Sequence, residues 1–312
     1  MNRFLDVLPL ALTPLTPIHI GCGEDFEPTN YVIDAGVLYH FGPTRLRLSE
    51  GDRRLLIQSA NKRGDEALRE VQRFFHERRQ QCRQAGRLEV PVAVGVAERY
   101  DDRIGQVSQR ETGGRVVINL LAIERTAHHP HTGMPYLPGS SLKGAIRTAW
   151  LNQLDKGPPI ERDRMQRPSD RSSEVEATLL GGAFHSDPFR LVDICDASGT
   201  EVHSRICFAV DRRKHLRRAH KGRTEQKDLS MCCEVIDGGQ FRALRGEIRF
   251  ERVPQSAQPA LQRRIGDFAT VACACNSFYL GRFDAELETL QSLAPGPWLD
   301  GFRKMIDPGF SR

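Results

Sequence analysis

Residues 136–154, YLPGSSLKGAIRTAWLNQL, constrain the fold of this chain more tightly than any other stretch. Pro138-Gly139 is a turn signal. Behind it, Leu142, Ile146, Ala149 and Trp150 recur at three- and four-residue spacing. That pattern predicts an amphipathic helix, which needs an apolar surface to lie on. Ser140 or Ser141 is placed to cap it, a hydroxyl oxygen accepting from an orphan backbone N–H. Lys143 and Arg147 are four apart and share one face. The first turn of a helix sits at the positive end of its dipole and favours Asp or Glu. Here it carries Lys143. A cation, two hydroxyls and free N–H groups suit a bound anion, a phosphate above all. The plainer alternative is a solvated basic face, and this stretch alone does not decide between them. A nucleotide-triphosphate loop is excluded, because Lys143 precedes Gly144 where Gly-x-x-x-x-Gly-Lys-Ser/Thr puts the lysine after the glycine.

What could cover that helix is sought along the rest of the chain. Residues 5–13 predict a first strand, and Tyr31–Ile33 with Val37–Phe41 predict a β-hairpin turning at Asp34-Ala35-Gly36. Residues 64–86 predict one charged amphipathic helix with Leu68, Val71, Phe74 and Phe75 on its apolar side. The continuous apolar run Val90–Val96 predicts a buried strand, as do 189–195 and 203–210. A short helix is expected near 174–180. Residues 238–253 pattern a strand or hairpin through Phe241, Leu244, Ile248 and Phe250, and 257–293 are mostly helical. The order strand, long excursion, helix, strand, strand, helix is most of a βαββαβ pattern, so the fold class expected is α+β and ferredoxin-like with large insertions. The polar, Pro-rich segment 155–176 reads as a flexible linker between an N-terminal module, 1–154, and a C-terminal half, 177–312.

The chain has 312 residues, enough for one large or two ordinary domains, and a net charge of +5, which hints at a polyanionic partner. Most of that charge is concentrated. The segment 212–227, RRKHLRRAHKGRTEQK, holds eight Lys/Arg and one acid, with Arg212, Arg213, Lys214, Arg217 and Arg218 at its start. It is either a phosphate-neutralising footprint or a solvated loop. No apolar run approaches the ~18 residues of a membrane span. Asp6 and Pro9 interrupt the apolar start, so no signal peptide is expected. With eight cysteines and no Cys-x-x-Cys pair, a cytoplasmic chain with reduced thiols is expected.

Four blocks carry a resemblance: LTPIHIGCG, LPGSSLKGAIRTA, DPFRLVDICDA and CCEVIDGGQFRALRGEIRF, in that order over roughly residues 10–252. They resemble the RAMP proteins of type III CRISPR–Cas effector complexes, and among these the fifth-subunit family of the type III-A (Csm) complexes. The resemblance implies RRM-like, ferredoxin-type modules and an RNA-binding structural role, capping the backbone of the complex at the 3′ side of the CRISPR RNA and supporting its maturation in antiviral defence. The partners implied are crRNA, an adjacent backbone RAMP subunit, the small subunit, host nucleases, and target RNA indirectly. No cofactor, metal or membrane is expected. By the same resemblance Gly139, Ser140, Ser141, Lys143 and Arg147 contact the crRNA backbone. His19 faces RNA, and Gly21 and Gly23 allow close approach of the main chain. The family pattern ends in a Gly-x-Gly-x-x-Gly loop and a last strand that this sequence does not show: either the chain is naturally short, or the segment is missing, or another subunit completes the sheet of the second module.

Other chemistries have candidate residues too. His19 as a general base, or Asp34 as a loop aspartate, would make the chain an endoribonuclease, but a lone His needs a partner that the sequence does not show. His128, His129 and His131 lie too close together for one tetrahedral metal centre and have no Cys or acid at ligand spacing. Cys232-Cys233 and Cys273-x-Cys275 are expected to be buried small residues. With aromatics at 7% and no RRM-type aromatic pair, backbone and shape recognition are expected over base reading. A backbone or type III-B subunit that polymerises along RNA is the remaining alternative.

Overall fold

The computed structural model describes residues 4–106, 108–110, 116–118, 121–155, 174, 176–180, 187–210, 230–252, 265–293, 296 and 299–300. The chain forms two compact units, neither continuous in sequence. One comprises 1–15, 136–200 and 241–312; the other comprises 16–135 and 201–240. The modules read from sequence at 1–154 and 177–312 therefore each contribute to both units.

In the first unit, β1 (Leu5–Leu12) pairs antiparallel with β12 (Leu244–Glu251), in register from Leu5↔Glu251 to Leu12↔Leu244. β12 pairs in turn with β9 (Val192–Ile194), giving the strand order β1-β12-β9. Direct antiparallel partners share a face. Leu244, Ile248 and Phe250 are buried, and Ile248 and Phe250 pack with Val192, Ile194, Phe189 and Trp150. The helix predicted from the opening stretch is α5 (Gly139–Leu154). It packs on this surface beside α6 (Phe268–Leu293), whose Val271 and Ala274 join the same core. The Tyr279 hydroxyl donates to the Ala145 carbonyl across the two helices (3.0 Å). The strand predicted over 189–195 is shorter. Pro188–Leu191 forms a 3₁₀ turn capped by Asp187, whose carboxylate accepts from Phe189 N–H (2.8 Å), and the strand begins only at Val192.

The second unit holds a four-stranded sheet in the order β10-β11-β8-β2. Its strands are β2 (Gly21–Phe26), β8 (Ile123–Thr126), β10 (Ser204–Val210) and β11 (Ser230–Ile236). Between β2 and β8 in sequence lies a second sheet, in which β3 (Tyr31–Asp34), β4 (Val37–Phe41) and β5 (Gly86–Pro91) stand in that order and the β3–β4 hairpin turns where the sequence places it. Ala35 (φ 49°) and Gly36 (φ 77°) both occupy the left-handed region, as a two-residue hairpin turn requires. Both faces of this sheet are covered. Tyr31, Ile33 and Leu38 pack with Val96 and Tyr100, while Val32, Tyr39 and Phe41 pack with Phe74, Phe75 and Cys82. That is why these strands read as apolar runs and do not alternate.

Two predicted elements are redrawn. The helix predicted over 64–86 is two: α2 (Asp65–Glu77) and α3 (Arg79–Gln84). They break at Arg78, whose guanidinium leaves the helix line to pair with Asp52 (2.6 Å) on α1 (Glu50–Ala60) and to lie 4.0 Å over the Phe74 ring. The apolar run Val90–Val96 is not one strand. β5 (Gly86–Pro91) ends at Pro91, and α4 (Val94–Arg103) begins three residues on, with Val94 exposed and Val96 and Tyr100 buried. Periodicity cannot separate a short buried strand from a helix start, and here the run contains the junction of the two. The remaining short strands, β6 (Ser108–Arg110) and β7 (Val116–Ile118), form a hairpin of their own. Of the cysteines singled out, Cys233 is buried and Cys273 is exposed. No helix among the described residues is long and apolar enough to cross a membrane.

Candidate nucleic-acid interface

The residues read from sequence fall into the two units. In the first, the start of α5 is built against the end of β9. Leu137 and Ala197 exchange backbone hydrogen bonds (2.9 and 2.8 Å). Gly139 then passes so close to the strand that a Cβ there would lie 2.0 Å from the Ile194 carbonyl oxygen. The capping differs from expectation. Neither serine caps the helix; Gly139 N–H donates to Asp196 Oδ1 at 2.7 Å. The reason is geometric. The chain enters the helix at Pro138, so the serines already lie inside the first turn, and a carboxylate from the β9 end reaches the orphan N–H instead.

Ser140 and Ser141 are exposed, and Lys143 beside them has no carboxylate partner among the described residues. Arg147 is arranged differently. Its guanidinium binds Glu176 and Asp187 (2.8 Å to Asp187 Oδ2) and lies over the Phe189 ring at 5.2 Å. A guanidinium with two carboxylates on it has little charge left for a phosphate, so this Arg fastens α5 to the segments at 176 and 187. The free set at the helix start is Ser140, Ser141 and Lys143, with Gly144 open to solvent.

In the second unit, the segment 18–26 lies along the sheet. Ile18 exchanges backbone hydrogen bonds with Ile236 (2.9 and 2.8 Å), and Ile20 N–H donates to the Thr126 hydroxyl (3.1 Å). His19 lies 2.7 Å by Nδ1 from the Glu234 carbonyl. Nδ1–H therefore donates, and Nε2 faces Glu124 at 3.8 Å. A Cβ at Gly21 would sit 3.5 Å from that Nε2, whereas Gly23, at φ +79°, has nothing within 4 Å. Gly23 is thus a left-handed position on open main chain, where only glycine sits without strain.

Beneath this segment lies a buried ion pair that sequence reasoning missed. Arg125 on β8 and Glu234 on β11 have side chains 7% and 0% exposed and approach to 3.7 Å. The Arg125 guanidinium lies 4.4 Å over the Phe26 ring, and Glu234 Oε1 accepts from the Ser204 hydroxyl at 3.2 Å. Burial pushes the Glu234 carboxyl up, with Arg125 opposing it. The only sequence trace is an acid inside the apolar strand CCEVI and a base inside IERTA.

The same buried charge acts on His40. Burial first, then Arg125, His128 and Arg87, lowers its imidazole to about 4. The unfolded chain, with an ordinary imidazole near 6.5, binds more protons between those values. This contribution to stability is present above pH 6.5 and lost as pH falls toward 4. An NMR titration of His40 should show a midpoint near 4, and His40→Gln should flatten the wild-type loss of stability in that window. A midpoint near 6.5 would remove the burial account.

Of the residues considered for catalysis or metal binding, Asp34 and His128 are each engaged by neighbours. Asp34 is held by Arg79 (3.4 Å) and Arg83 (3.5 Å). His128 Nδ1–H donates to the Thr126 carbonyl (3.0 Å), so it cannot accept a proton from Cys22, 3.9 Å away, and its Nε2 faces Glu24 at 3.4 Å. Among the described residues no group of three or more His, Cys, Asp or Glu side chains is placed to hold a metal ion. Arg212, Arg213, Lys214, Arg217 and Arg218 lie outside the described residues.

Comparison with known proteins matches residues 11–263 to the RAMP superfamily model. A protein of Methanocaldococcus jannaschii named "CRISPR system Cms protein Csm5" is 28% identical over 60% of this chain and 42% of its own length. One of Streptococcus thermophilus with the same name is 30% identical over 60% of this chain and 50% of its own. The chain thus spans about half the length of the curated relatives it matches. The crystal structure of T. onnurineus Csm5 superposes with a TM-score of 0.59 at 17% identity, covering 95% of this chain and 86% of that one, which is a likeness of fold.

Proposed function

From the premise that this chain belongs to the RAMP superfamily, we propose that it is a Csm5-like, RNA-binding structural subunit of a type III-A CRISPR ribonucleoprotein. It caps the backbone at the 3′ side of the crRNA and supports crRNA maturation, with an adjacent RAMP subunit, the small subunit and maturation nucleases as partners. The relatives named Csm5 support the subunit. The β-α-β-β-α order of the first unit, with strands in the order β1-β12-β9, supports a ferredoxin-like module.

The observation that carries RNA binding is the start of α5. Two exposed hydroxyls and an uncommitted lysine stand at the positive end of a sixteen-residue helix. The structural role is supported at Asp34, which two arginines hold; at His19, whose Nε2 stays open toward Glu124, the cleavage assay decides.

UV crosslinking of the assembled complex, read by mass spectrometry of peptides, tests this. Crosslinks from 139–147 and from around His19 to 3′-side nucleotides are expected. Crosslinks spread along the whole guide would assign a backbone subunit instead. Cleavage of labelled crRNA by the purified chain with divalent metal would assign an endoribonuclease. Within the helix start, Lys143→Ala should weaken RNA binding in the full chain and reduce the salt slope by about one charge, without changing the melt. An unchanged salt slope would mean that the helix start holds no phosphate.

A further inference from the structure

We propose that Phe241 is a stacking platform for one unpaired nucleobase of the bound RNA, with Arg242 and Arg245 on the phosphates flanking it. The proposal rests on the RNA-binding role above and adds base contact to it. Phe241 is 76% exposed, more than any other large apolar side chain among the described residues. It does not continue β12, which begins at Leu244. Exposed apolar residues scattered singly are ordinary, but three features set this one apart.

First, the main chain that presents it is fixed. Arg242 occupies the left-handed region at φ +50°, a position that favours glycine, and its N–H donates to the Thr13 hydroxyl at 2.9 Å. Arg245 exchanges backbone hydrogen bonds with Ser198 (3.0 and 2.8 Å). The ring therefore has no easy route of retreat into the core, and a non-glycine residue is held in strain to keep it out. Strain of this kind concentrates at ligand contacts.

Second, the Arg242 guanidinium lies 5.0 Å from the ring centroid. It sits over the π-face, which leaves the other face for a second flat group. Third, neither Arg242 nor Arg245 has a carboxylate partner among the described residues, while Arg147, Arg249 and Arg252 in the same unit do. An exposed ring with one guanidinium over it, on a segment that carries a second arginine without a carboxylate partner, combines the two groups that a single strand offers contacts for, base and phosphate. Stacking accepts any base, so the contact adds affinity without reading sequence.

The test uses the full chain and two oligoribonucleotides of equal length, one of uridines and one of abasic ribose phosphates. Phe241→Ala should weaken binding of the uridine strand about tenfold and leave the abasic strand unchanged. Phe241→Trp should restore affinity, and its fluorescence, as the difference from wild type, should be quenched by the uridine strand alone. Arg242→Gln and Arg245→Gln should each lower the salt slope for both strands. If the chain binds RNA with Phe241→Ala at wild-type affinity, the stacking proposal fails and the RNA-binding role stands. If wild type binds neither strand, both fail. If Phe241→Ala blocks entry into the assembled complex with RNA affinity intact, the ring contacts a protein and the proposal is overturned.

Discussion

Gly139→Ala is expected to unfold the first unit's helix–sheet contact and to be the most damaging Gly→Ala change in that unit. The added Cβ would stand 2.0 Å from the Ile194 carbonyl oxygen, 2.8 Å from its carbon and 2.9 Å from the Cys195 carbon. These are backbone atoms of a strand paired to β12, so none can swing aside as the end of a side chain could. The helix start must move by more than an ångström. That move pulls Gly139 N–H from Asp196 and strains the Leu137–Ala197 pair. A cap is worth about 1 kcal/mol, and losses above about 4 kcal/mol mark this kind of core overlap. Gly144, five residues on, provides the internal control. A Cβ there meets nothing within 4 Å, and a glycine in a helix interior costs up to about 1 kcal/mol relative to alanine, so Gly144→Ala should stabilise. Denaturant melts of the two variants should move in opposite directions. If both moved alike, the close approach of α5 to β9 would not be what holds the helix start, and Asp196→Ala should then cost as much as Gly139→Ala.

That control also shows what was legible beforehand. The helix at 139–154 was readable because its apolar positions repeat at helical spacing along one uninterrupted segment, and the β3–β4 hairpin because Asp-Ala-Gly sits between two apolar runs. The cap was not readable. Asp196 is fifty-seven residues from Gly139, and only the fold brings them to 2.7 Å. Arg147 shows the same limit from the other side: its spacing from Lys143 puts both on one face, yet Glu176 and Asp187 arrive from elsewhere in the chain and take one of the two cations. The break at Arg78 depends on Asp52, and the junction at Pro91–Val94 falls inside a run with a single hydropathy. The chain passes between the units four times, so no single linker marks the division. Local pattern specified elements; partners distant in sequence specified which of their polar groups remain available.

The buried pair of Arg125 and Glu234 should show an asymmetry that separates a structural ion pair from an ordinary one. Glu234→Leu leaves a guanidinium 7% exposed without the buried carboxylate that faces it, and a guanidinium cannot shed its proton in a protein. A loss of about 3–5 kcal/mol is expected. Arg125→Met leaves a carboxyl that can neutralise itself. Burial already raises Glu234, and removing the cation that opposes this raises it further. A carboxyl raised in the folded state binds its proton before the unfolded one does. The deficit of Arg125→Met should therefore shrink as pH falls from 7 through the raised value toward 4.5. The double variant, with apolar groups on both strands, should recover most of the loss, because Arg125 Nε and Nη2 and Glu234 Oε2 have no hydrogen-bond partner to lose and the cost is the acceptor of the Ser204 hydroxyl. Stability would then be restored with the ionic side chains gone from beneath the segment proposed to face RNA. Residues 18–26 are registered on these same two strands, His19 through the Glu234 carbonyl and Ile20 through Thr126. A double variant that folds well but crosslinks RNA poorly near His19 would assign the pair to positioning that segment. One that both folds and crosslinks like wild type would leave it no role beyond filling the interior.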